Sequence, residues 1–346
     1  MQAKNYAAQV VKSLDSFIPN YQKMLNANGD KYYGLEVEHL KTLQGVIKNA
    51  VHFTMPDGGI LLDDSLKGLK SSEIRLPFPS ITIECCIPDD GSFNELTPNI
   101  CEKRLIVATE TNSDVVKHIN DIVISNKEKL GGMGELLAKG LDANSNGIDF
   151  LLRSERIITI SAFFMNRGFW TPCHSQWIIP CDWDNLHGTT QLESLIKKDD
   201  DAVAFAGHLG FLLPTIHEMG IERTNPFHAM QEAAHDIGSE VRIVLELLEA
   251  LSCRNVEQTI IQKCDKVLNA RRINKGKLPL YEERILTIKV NAKQGTGTRT
   301  GTHESPRQHL RRGHIRRLES GNIWVNACVV GNSEKGVIKK SYNVAA

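Results

Sequence analysis

The sequence predicts an α+β protein with a helical N-terminal cap, a mixed central sheet, a long helical segment and basic C-terminal strands. Three observations carry that expectation. Apolar residues recur at helical spacing near the N-terminus, short β-branched runs such as ITIECCI and RLIVATE follow, and the two kinds of segment alternate in no regular βα order. The 346 residues are 41% hydrophobic and 24% charged, which allows a large core and excludes disordered, collagen-like and coiled-coil chains.

Taken in order, Val10, Val11, Leu14, Phe17 and Ile18 place one apolar face on a helix from Ala3 to Leu25. A second helical stretch runs from about Glu36 to His52 and stops at MPDGG. ITIECCI and RLIVATE read as neighbouring strands, and helical spacing returns from Asp114 to Lys139. Asp142, Asn144, Asn146 and Gly147 imitate half a calcium loop, but Arg153 stands where a bidentate Glu is needed, so an Asn/Gly turn is expected. RIITISAFFM and SQWIIPC are strands bracketing the aromatic loop NRGFWTPCH. Asn225 and Pro226 supply the N-cap and first-turn signals of a helix through Leu251, and the helical pattern resumes to about Ile273. LTIKV and IWVNACVV then read as strands flanking the loop KQGTGTRTGTHESPRQHLRRGH.

The net charge of zero conceals a split. From Lys266 onward the chain holds 17 Lys plus Arg against 5 Glu and carries +12, whereas the part before it holds 24 against 36 and carries −12. The expected organisation is a helical region 1–75, an acidic α+β core 76–265 and a basic region 266–346 packed on or next to that core. A charge division of this size points either to a polyanionic partner or to two ends that face each other.

The sharpest local feature is Arg307, His309, Arg311, Arg312, His314, Arg316 and Arg317, seven cationic or titratable side chains within eleven residues. Guanidinium forks suit phosphate, so contact with RNA or the ribosome is one reading, and pairing with carboxylates of the acidic part is the other. His309 and His314 also admit a metal-independent ribonuclease, with one imidazole as base and the other as acid, if both reach one phosphate. Phe169 and Trp170, in the aromatic loop, are candidate peptide anchors, with burial in the core as the alternative.

The eight cysteines include no CxxC pair and read as free thiols; Cys173, His174, Cys181 and His187 match no familiar zinc spacing. No metal, cofactor or catalytic residue is assigned, since nucleotide-binding, dinucleotide-binding, serine-hydrolase and zincin motifs are all missing from the sequence. No apolar run is long enough to span a membrane and the first residues lack a secretory pattern, so a cytoplasmic protein is expected.

The order of several segments resembles the type V-A anti-CRISPR family numbered two, which is spread across phages, prophages and plasmids. The resemblance rests on LPFPSITIE, on the strands around GFW, on HLGFLLPTIHEMGIE, on Gly238-Ser239-Glu240-Val241-Arg242, and on HLRRGH followed by VNACVV. It spans most of the chain from about Glu36, and its best-matched block falls on Arg311, Arg312, Gly313 and His314. The resemblance implies a non-enzymatic regulator in a bacterial host. Such a protein recognises the N-terminal peptide of a nascent CRISPR nuclease and causes loss of its mRNA, the cutting being left to host factors. This chain departs from the family pattern just after that block, at IRRLESGNIW, which leaves both the target and the contact surface open.

Overall fold

The computed structural model describes residues 3–28, 31–56, 74–87, 102–112, 156–166, 168–173, 176–181, 238–289, 307–311, 314–325, 328–330 and 332–337. Two helices open the chain, α1 (Tyr6–Asn28) and α2 (Lys31–Asn49). Their buried residues Val10, Leu14, Leu40, Leu43 and Ile47 fall at three- and four-residue intervals, so each helix turns one stripe inward. Full burial of a side chain such as Leu14 or Ile47 contributes roughly 2 kcal/mol.

The main sheet is mixed. Strands β1 (Val51–Thr54), β2 (Ser80–Cys86), β3 (Lys103–Thr111), β4 (Ile157–Asn166) and β5 (Phe169–Pro172) come first, with β6 (Trp177–Pro180) beside the other half of β4. Helix α3 (Gly238–Leu251), β7 (Val256–Gln262), α4 (Lys266–Asn274) and β8 (Glu283–Ile288) follow. The spatial order is β5-β4-β3-β2-β1-β8-β7, and β1 lies parallel to both its neighbours while the other pairs are antiparallel. Phe53, Ile81, Ile83, Cys85, Ile106, Ala108, Ile158 and Ile160 form the core under α3. Leu105, Val107, Phe163 and Trp170 form the opposite one, under α1 and α2. Period-two alternation thus fills both faces of one sheet.

The expected α+β class and the β2/β3 neighbours are what the fold has. Several local expectations are corrected. The second helix stops at Asn49, and His52 belongs to β1, a strand short enough to be hidden behind the end of a helical pattern. The helical pattern that resumes to Ile273 is α4, but the stretch before it is β7, an edge strand whose exposed Glu257 and Thr259 look helical in sequence. IWVNACVV is two strands, β11 (Ile323–Val325) and β12 (Cys328–Val330), in different small sheets. Strands β1 and β8, which come from either side of region 76–265 in sequence, pair with each other in the middle of the sheet. The segments Asp114–Lys139, Asp142–Arg153 and Asn225–Pro226 lie outside the described residues.

Candidate functional site

The sheet carries a polar cluster in its centre, on the face that α1 covers. On β1, His52 and Thr54 alternate with Phe53 and so share that face; the register sets Thr82 beside His52, Glu84 beside Thr54, and Glu283 beside His52 from the other neighbour. All five are buried, both glutamates completely. His52 Nδ1 lies 2.6 Å from Thr82 Oγ1, and the imidazole stacks on Tyr281 at 4.7 Å. The Thr54 hydroxyl donates to Glu283 Oε2 at 2.9 Å, and the Ala7 amide, in the first turn of α1, donates to Glu84 Oε1 at 2.9 Å.

One oxygen of each carboxyl, Glu84 Oε2 and Glu283 Oε1, finds no donor if both groups are ionised. Two buried carboxylates that act on each other are disfavoured, so one of them keeps a proton. Burial, then the negative charge of Glu84, pushes Glu283 up to about 9, and burial raises Glu84 as well. Burial pushes His52 down to about 4, so it is neutral. The cluster therefore holds one proton between two carboxyls at neutral pH, ties β1, β2 and β8 to the start of α1, and gives solvent no access to it. The thiols resemble it in being closed. Burial raises Cys85 to about 12 and Cys253 to about 11, which keeps both protonated and unreactive.

The basic segment sits in two small sheets. Arg307, His309 and Arg311 lie on β9 (Arg307–Arg311), between β12 and β13 (Asn332–Val337), whereas His314 and Arg316 lie on β10 (His314–Arg316), paired with β11. Within the loop expected through His314, residues 307–311 are thus a strand, and His314 begins another. His309 and His314 belong to different sheets, and Arg312 lies outside the described residues. Arg316 is exposed, while Arg317 is ion-paired with Glu249 of α3, whose side chain is 1% exposed. Asn255 and Trp324 bond reciprocally, side chain to backbone, at 2.8 Å each, and Asn322 donates to Ser252 at 3.1 Å. These contacts dock the β10–β11 hairpin on the end of α3. Arg317 thus pairs with a carboxylate of the acidic part, and Arg316 faces solvent.

The aromatic candidates divide in the same way. Gly168, at φ 88°, completes the tight β4–β5 turn and holds Phe169 out, 71% exposed. Trp170 is 2% exposed, lies 5.2 Å from the Tyr6 ring and donates from Nε1 to Gln9 at 3.2 Å, so it fastens α1 to the sheet. Cys173 and Cys181 lie near the ends of β5 and β6, and His174 and His187 lie outside the described residues. Sequence reasoning missed the Glu84–Glu283 pair. Its one signal was a glutamate at an inward position of the β-branched run ITIECCI. No helix among the described residues is long and apolar enough to cross a membrane. Comparison of the chain with protein-family models, with curated proteins and with solved structures finds no match in any of the three.

Proposed function

We propose that this protein is a non-catalytic inhibitor of the kind carried by mobile elements, which meets the ribosome and its RNA through its basic C-terminal region and binds the N-terminal peptide of a nascent target. Loss of the target's mRNA follows from host nucleases acting on the stalled complex. The observation that carries this reading is the segregated charge: the +12 region contributes β8 to the core yet leaves cations such as Arg316 in solvent. A phosphate backbone neutralises such a surface and releases counterions, which gives affinity without sequence preference. Phe169, held out by its turn above the buried Trp170, is the proposed aromatic anchor for the peptide, set in the acidic part of the chain.

The two halves of the proposal separate by codon recoding. Synonymous replacement of the target's first codons leaves repression intact, whereas changing the encoded amino acids removes it; a reporter mRNA measured with and without the protein reads both. Repression that follows the nucleotide sequence would contradict peptide recognition.

A further inference from the structure

Helix α4 lies in the basic region but outside the Arg/His segment, and every residue in it keeps some solvent exposure. Between Lys263 and Tyr281 the chain carries Lys263, Lys266, Arg271, Arg272, Lys275 and Lys277 against a single acid, Asp265. That carboxylate is already used as the N-cap, accepting from the amides of Val267 and Leu268 at 2.9 and 3.0 Å. Elsewhere the protein pairs its guanidinium groups with glutamates: Arg104 with Glu240, Arg156 with Glu110, Arg242 with Glu246, Arg284 with Glu282 and Arg317 with Glu249. Among the described residues, Lys263, Lys266, Arg271, Lys275 and Lys277 are exposed and have no such partner.

This cationic helix is also rigidly presented. Gly276, at φ 68°, turns the chain back, with its own amide and that of Lys277 donating to Ile273 and Arg272 carbonyls at 2.9 Å each. The Asn269 side chain bonds both the amide and the carbonyl of Leu280 at 2.8 Å, and Arg272 Nε donates to the Leu278 carbonyl at 2.8 Å. Asn5 and Gln262 hold the next stretch through the carbonyls of Pro279 and Tyr281, at 3.2 and 2.8 Å. A fixed array of cations loses little freedom on binding a polyanion.

We infer that α4 and the turn after it form a second docking surface for the phosphate backbone of single-stranded RNA. The inference deepens the reading above and rests on it for the choice of polyanion. The apolar residues argue against an anionic membrane as the occupant. At about 100° per residue, the exposed Val267, Leu268 and Ile273 fall on different sides of the helix and make no stripe to insert. Arg271 and Lys275, one turn apart, instead give neighbouring point charges on one face.

The test uses the full chain and fluorescein-labelled oligouridine, with anisotropy titrations across a series of salt concentrations. The triple variant Lys266→Gln, Arg271→Gln, Lys275→Gln keeps Asp265, Asn269 and Arg272, so the cap and the turn survive, and an unchanged melting temperature verifies that. The expected result is a loss of affinity of roughly tenfold at about 0.1 M salt, with the slope of log K against log salt shallower by about 2 units. Unchanged affinity and slope would overturn the inference, as would a parent chain that binds no oligouridine. Loss of binding to phosphatidylserine vesicles with RNA affinity intact would also overturn it and assign the surface to lipid. Codon recoding decides nascent-peptide recognition independently, so either idea can fail alone.

Discussion

From about pH 7 to about pH 9 the protein is expected to lose about 2 kcal/mol of unfolding free energy, and Glu283→Gln is expected to abolish most of that loss. The cause is the shared proton of Glu84 and Glu283. Both carboxyls have folded-state pKa values raised above 4.5, Glu283 to about 9, so the folded protein binds a proton that the unfolded chain has already released. For a raised carboxyl, stability is complete below the unfolded pKa and is lost as pH climbs to the folded one, at about 1.4 kcal/mol per pH unit for one proton.

The window is set by the other shifted groups. His39 and His52, both pushed down to about 4, reduce stability only as pH falls below 6.5, their ordinary value. Cys85, Cys253 and Tyr281 are raised from ordinary values of 9.0, 9.0 and 10.0, so their contributions are lost above the window. An amide at 283 has no proton to titrate in this range. Urea unfolding across a pH series reads the slope directly; a parent protein whose stability is flat through the window would show that the pair holds no proton.

Within the basic segment, two charge changes are expected to have opposite signatures. Arg317→Ala leaves the buried Glu249 carboxylate without its guanidinium and is expected to cost roughly 2–3 kcal/mol of stability, since removing one member of a buried pair strands the other charge. Arg311→Glu with Arg312→Glu is expected to lower RNA affinity by at least about a hundredfold and to remove repression, with the melting temperature unchanged. Thermal unfolding and anisotropy on the same preparations separate the two effects. A collapse in melting temperature for the double variant would make those arginines structural, like Arg317.

Much of the fold was legible because burial and periodicity coincide. The stripes of α1 and α2 and the alternation of β2, β3 and β4 place apolar residues where each element needs them. What escaped were elements whose sequence answers to a partner far along the chain. The β1 strand VHFT has four residues, follows α2 directly, and gains its strand character from lying between β2 and β8. The edge strand β7 exposes Glu257 and Thr259, which no local pattern distinguishes from a helix surface. Glu84 and Glu283 meet only because β8 crosses back to β1, so neither carries a mark of the other. Of the candidate residues, Arg317 and Trp170 show how one composition serves two ends: the same guanidinium or indole that suits a partner also closes a core.

The central claim is that the protein acts on chains still being made, and selective ribosome profiling of the tagged protein in a bacterial host, with and without puromycin, tests it most directly. The account predicts ribosome footprints enriched on one or a few messages, beginning once an N-terminal peptide has emerged and disappearing when puromycin releases nascent chains. RNA enrichment that survives puromycin, or no association with ribosomes at all, would contradict it.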